Sequence, residues 1–145
     1  MIIRKLAAID IGSNAVRLLV NNVIEHEDKP PAFKKSSLIR VPVRLGEDSF
    51  TKGEISEKSM ERLVKTMKSF DLLMQIYGVE KYMATATSAL REAKNGHEVT
   101  ERVFRESGIR IEIIDGKREA AIIASTDLKE LIKDDRAYLY VDVGG

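Results

Sequence analysis

Ala7-Ala8-Ile9-Asp10-Ile11-Gly12-Ser13-Asn14-Ala15-Val16-Arg17-Leu18-Leu19-Val20 sets two apolar runs on either side of a short polar segment. Apolar runs flank Asp10, Gly12, Ser13 and Asn14, the residue types that turns use, so the stretch reads as strand, tight turn and returning strand. Such a hairpin can aim backbone N–H groups and a hydroxyl at one spot. Asp10, at the end of the first strand, can reach a metal ion. Val141-Asp142-Val143-Gly144-Gly145 repeats the pattern of apolar strand, aspartate and glycine at the end of the chain.

Outward from that hairpin, Ile3 to Ile11 is apolar at nearly every position after Lys5, which predicts a central strand covered on both faces. Val16 to Ile24 is its antiparallel partner. Lys29-Pro30-Pro31 marks a turn, and a third strand is expected from about Phe33 to Leu45, with Pro42 demoting it to an edge or a bulge. Gly46 to Gly53 reads as a glycine-bounded polar loop. Ser56 is placed as an N-cap, and Met60, Leu63, Val64, Met67, Phe70, Leu73, Met74 and Tyr77 recur at three- and four-residue spacing up to Gly78, the signature of an amphipathic helix. Its methionine-rich stripe is read as core in preference to a partner groove.

A strand is expected over 81–86, a helix over 98–107 with Val99, Val103 and Phe104 on one face, a strand over 109–114 and a helix over 118–132. A charged linker leads from there to a last strand over 137–143. The order is β-β-β-α-β-α-β-α followed by a lone β, a mixed α/β sheet with helices on its faces. We divide the chain into a first domain, 1–133, and a linker with the opening strand of a second, truncated domain, 134–145.

With 145 residues, 43% of them hydrophobic, the chain can bury a real core. Lys plus Arg (24) nearly balances Asp plus Glu (23), so no net field favours a nucleic-acid polymer or an anionic membrane, and any polyanion must be met locally. With no cysteine and two histidines, His26 and His97, thiolate and zinc sites are excluded and oxygen ligands for a hard cation remain. No stretch approaches the roughly 20 apolar residues of a membrane span. A cytoplasmic protein is expected.

Each candidate residue has a plain alternative. Asp10 with Gly12, Ser13 and Asn14 can be a structural turn; Arg17 can be a solvated strand residue or a phosphate contact. Arg91 follows a strand end lined by Thr85, Thr87 and Ser88, where ligands bind in open α/β sheets; it can clamp phosphate bidentately or pair with Glu92 or a helix-terminus carbonyl. Glu119, in the first turn of its helix, can offset the helix dipole or serve as a general base.

Four strings in register, Ala8-Ile9-Asp10-Ile11-Gly12-Ser13-Asn14 with Arg17-Leu18-Leu19, Ala84-Thr85-Ala86-Thr87-Ser88-Ala89-Leu90-Arg91-Glu92-Ala93, Ile113-Ile114-Asp115-Gly116-Lys117-Arg118-Glu119-Ala120 and Val141-Asp142-Val143-Gly144-Gly145, resemble the exopolyphosphatase and guanosine pentaphosphate phosphohydrolase (Ppx/GppA) family. The resemblance implies a ribonuclease-H-like fold of the actin-like ATPase superfamily and hydrolytic release of the terminal phosphate from polyphosphate or guanosine pentaphosphate. It further implies Gly12, Ser13 and Asn14 as a phosphate loop and Arg91 as a phosphate clamp. Gly144 and Gly145 would belong to a second loop, Asp10 and Asp142 would address Mg2+, and Glu119 would orient or activate water. The family pattern continues beyond Gly145, so a C-terminal domain is expected as the missing partner and little hydrolysis is expected from these residues alone. Homo-oligomerisation stays open. Two alternatives also stand: an ATP-binding kinase or chaperone-like member of the superfamily, and a non-catalytic sensor of phosphate compounds.

Overall fold

The computed structural model describes residues 1–125. Residues 126–132 of the expected last helix, the strand expected over 137–143 and the expected start of a second domain lie outside the described residues. The opening hairpin forms as expected: β1 (Ile2–Ile11) pairs antiparallel with β2 (Val16–His26) from Ile2 opposite Glu25 to Ile11 opposite Val16. β3 (Lys29–Val41) pairs antiparallel with β2. The third strand starts earlier and stops earlier than predicted. Pro30 and Pro31 lie inside it, tolerated because β3 is the edge of the sheet, and Pro42 follows its last residue.

The predicted loop over 46–53 is instead a helix, α1 (Leu45–Lys52). Arg44 enters it in the left-handed conformation, with φ at 59°, and Gly53 leaves it the same way, with φ at 75°. Its composition is polar because only one face is covered, by Leu45, Gly46, Asp48 and Ser49. α2 (Glu57–Tyr77) is the helix the spacing predicts. The Ser56 hydroxyl accepts from the Ser59 N–H, and Gly78, with φ at 70°, closes the helix where a side chain would be strained. Met60, Leu63, Val64, Met67, Phe70 and Met74 are buried, so the methionine stripe is core.

β4 (Lys81–Ala86) runs parallel to β1 on the side away from β2. A short helix that the sequence reading lacked, α3 (Ser88–Glu92), follows at once. α4 (Gly96–Ser107) buries Val99 and Val103, whereas Phe104 is exposed beneath the Arg110 guanidinium, 4.1 Å from its ring centre. β5 is only Glu112–Ile113, shorter than the strand expected, and α5 begins at Gly116.

The sheet order is β3-β2-β1-β4-β5, which puts β1 in the middle. One face, carrying Ala7, Ile9, Ile11, Leu18 and Val20, packs on α2 and its neighbours in a single core. Burying each large side chain there contributes about 1.5–3 kcal/mol. The expectation that β1 is covered on both faces fails among the described residues: Ala8 is exposed, and Leu6 and Asp10 are only partly covered. That open face carries the polar residues near the hairpin.

Candidate active site

β1 and β4 are parallel, so their carboxyl ends meet at one edge of the sheet, beside the turn that opens β2. The Gly12 N–H donates to the Ala15 carbonyl at 3.0 Å and closes that turn. Ser13 is buried and Asn14 exposed. The loop is held from outside by the entry to α1: the Arg44 N–H donates to the Asn14 carbonyl at 3.0 Å, and the Gly46 N–H to the Ser13 carbonyl at 2.8 Å. Glycine at 46 makes that approach easy, since a Cβ there would lie 3.0 Å from Ser13 Cβ and 3.2 Å from the Ser13 carbonyl oxygen. The hydroxyls of Ser13 and Ser88 are 2.8 Å apart and tie the loop to the start of α3.

The opposite wall comes from α5. The Asp115 carboxylate caps it by accepting from the Arg118 N–H at 2.7 Å, and Glu119 lies one turn in. Arg91 reaches across from α3, donating from Nη1 to the Ile114 carbonyl at 2.8 Å and standing 3.5 Å from Glu119 Oε2. Its Nε also lies 3.7 Å from Glu92. Arg91 therefore fastens α3 to the segment that enters α5 and stands beside Glu119.

The cavity between these walls has a volume of about 650 Å³ and is lined by the loop residues Gly12, Ser13 and Asn14, by Asp10 and Arg17, by Thr85, Thr87 and Ser88, and by Glu119. Met83, Ile122 and Ile123 give it an apolar side. Of the sequence-predicted residues, Asp10, Gly12, Ser13, Asn14, Arg17 and Glu119 converge here. Asp142, Gly144 and Gly145 lie outside the described residues. The alignment of Ser88 with Ser13 was not assigned from sequence, although the run of small and hydroxyl residues at the end of β4 was its signal.

Asp10 is half-buried, and burial pushes its carboxyl above the ordinary aspartate value. The Arg17 guanidinium, 3.7 Å away, opposes that shift, while the negative charge of Glu119 adds to it. The carboxylate thus carries charge that its surroundings do not fully compensate. A hard cation fits such a place: Mg2+ keeps most of its waters and is held by one or two carboxylates together with substrate phosphates. Among the described residues no group of three or more His, Cys, Asp or Glu side chains that could hold a metal ion is found.

Three antiparallel strands continued by parallel β4 and β5, with helices between them and the polar residues at the strand ends, define a ribonuclease-H-like domain of the actin-like ATPase type. The chain belongs to the Ppx/GppA phosphatase family, whose model matches residues 23–145. It is 32% identical over 118 residues to exopolyphosphatase 1 of Mycobacterium tuberculosis, a match covering 81% of this chain and 33% of that protein. It is 33% identical over 143 residues to the bifunctional 3-dehydroquinate synthase/phosphatase of Fusobacterium nucleatum, covering 96% of this chain and 21% of that one. The crystal structure of the Aquifex aeolicus Ppx/GppA family member superposes with a TM-score of 0.77 at 32% identity, over 88% of this chain and 41% of that one. The chain thus spans a third or less of the length of these two curated relatives.

Proposed function

We propose that this domain supplies one wall of a site that hydrolyses the terminal phosphoanhydride of inorganic polyphosphate or of guanosine pentaphosphate. The observation that carries the reading is the convergence of the Gly12–Asn14 loop, Asp10 and Glu119 on one cavity at the carboxyl ends of β1 and β4. Phosphoryl transfer to water depends mainly on positioning and on neutralising charge at the transferred group. The loop with the Ser13 and Ser88 hydroxyls would cradle the terminal phosphate, and Arg17 would meet an adjoining one.

Glu119 would orient the attacking water and accept its proton. Arg91 would act first by fixing Glu119 through the 3.5 Å contact, and its role as a phosphate clamp would require the guanidinium to leave the Ile114 carbonyl. Mg2+ would be addressed by Asp10, with Asp142 as the second carboxylate, and would supply charge neutralisation on the phosphate oxygens. Gly144 and Gly145, in their repeat of the Asp-x-Gly pattern, would form a facing loop. Mg2+ and a cytoplasmic location belong to the proposal; no described helix is long and apolar enough to cross a membrane.

The test is phosphate release from each substrate with Mg2+, by a protein carrying this domain at the length of its relatives, comparing wild type with Glu119→Gln. General-base assistance contributes roughly 10²–10⁴-fold, so a loss of that size is expected with substrate binding retained. A variant hydrolysing within a few-fold of wild type would overturn the role of Glu119.

A further inference from the structure

The strand register places four residues in one row across the open face, at the level of the site: Arg40 on β3 opposite Arg17 on β2, Arg17 opposite Asp10 on β1, and Asp10 beside Thr85 on β4. Residues paired in register project to the same face, and the 3.7 Å contact between Arg17 and Asp10 shows that this is the face with the cavity. Asp10 answers Arg17. Arg40 has no such answer: it is exposed and has no ion pair among the described residues, and the next residue on its side of β3 is the apolar Leu38.

Like charges directly opposite on an antiparallel pair are destabilising, so an arginine facing an arginine is an arrangement that an anion between them would relieve. Neighbouring strands are spaced about 4.8 Å apart, which puts the Arg40 backbone two strands, roughly 10 Å, from β1. Among the described residues β3 is the edge of the sheet, with no further strand beside it, so the row runs outward from the site to that edge.

We infer that Arg40 and Arg17 form a two-arginine rail that takes the successive phosphates of a linear polyphosphate whose end is seated at the Gly12–Asn14 loop. The inference rests on the proposed hydrolytic reading and adds to it a substrate-length determinant one strand outside the cavity wall. Guanidinium groups suit this role because they present several N–H donors to phosphate oxygens while keeping their charge. Such a rail makes affinity grow with chain length until the phosphates pass Arg40, and makes part of that affinity salt-dependent through released counterions.

The experiment measures binding of orthophosphate, triphosphate and graded longer linear polyphosphates to the 145-residue chain, as wild type, Arg40→Ala and Arg40→Lys, at several salt concentrations. Melting temperatures are recorded without ligand. Wild type should bind longer chains more tightly. Arg40→Ala should lose roughly ten-fold on long chains, less on triphosphate, with a shallower salt dependence, and Arg40→Lys should recover part of the loss. Without ligand, Arg40→Ala should melt no lower than wild type, because it removes a like-charge pair.

Equal losses at every length, a wild-type affinity for long chains in Arg40→Ala, or a lowered melting temperature accompanying the loss would each overturn the rail. The two levels separate cleanly. A wild-type chain that binds no polyphosphate, or an Arg40→Ala chain that binds long polyphosphate as tightly as wild type, sinks the rail; absence of phosphate release by a protein carrying this domain at the length of its relatives sinks the hydrolytic reading.

Discussion

Asp48→Ala offers a demanding test of how the phosphate loop is supported. Asp48 is on the buried face of α1, and its Oδ2 accepts from the Ser56 N–H at 3.1 Å and from the Ser56 hydroxyl at 2.5 Å, while Oδ1 meets Lys52 Nζ at 3.2 Å. The same Ser56 hydroxyl caps α2 by accepting from the Ser59 N–H. One carboxylate thus joins the helix that buttresses Ser13 to the N-terminus of the longest helix. Those hydrogen bonds, the one to Ser56 above all, hold the Asp48 carboxyl well below the usual carboxylate range.

Hydrogen bonds to a charged group contribute about 1.5 kcal/mol each at the low end of their range. The exposed Lys52 partner adds only about 0.3–0.5 kcal/mol. Two bonds to Ser56 and the lysine pair make the expected loss about 3 kcal/mol at pH 7, or roughly 10 °C in melting temperature for a domain of this size. Since the folded-state carboxyl is depressed, its contribution is complete above the ordinary aspartate value near 4 and is lost as pH falls below it. Thermal melts of wild type and variant should therefore show a constant gap from about pH 8 to 5 that narrows progressively below about pH 4. A loss under about 3 °C, or a gap that does not narrow in acid, would refute the reasoning.

Asp10→Asn should raise the melting temperature at pH 7 while weakening the response to Mg2+. Burial raises the Asp10 carboxyl, so folding disfavours its charged form and stability falls as pH rises through the raised value; the variant should lack that fall, and an unchanged or lowered melting temperature at pH 7 would count against it. Gly96→Ala should be costly, because its Cβ would come within 2.0 Å of the Leu90 carbonyl oxygen on α3. Forcing such a contact costs about 2–3 kcal/mol, seen as a urea midpoint lower by about 1 M or more; a midpoint within error of wild type would show that α4 shifts freely.

The elements that were legible in the sequence are those whose burial repeats along the chain. The eight apolar positions from Met60 to Tyr77 predict α2 because spacing of three and four residues leaves one stripe to cover, and Ser56 and Gly78 mark its ends. α1 was illegible for the opposite reason. Its polar, glycine-flanked residues carry no such stripe; the Arg44 and Gly46 N–H groups bond to the hairpin, and Arg44 turns into the helix with positive φ. α3 is too short for a period to show.

What the sequence determined by itself is the composition of the site: the Asp10 to Asn14 turn between two apolar runs, the hydroxyls at the end of β4, and Glu119 one turn into its helix. Which of them stand together depends on how the elements pack. Packing brought Arg91 to Ile114 and Glu119, joined Ser13 to Ser88, and set Arg40 opposite Arg17. The reason is physical. Local patterns report which side of an element meets the core, whereas partners across a sheet depend on register, and a slip of one residue sends every side chain to the other face.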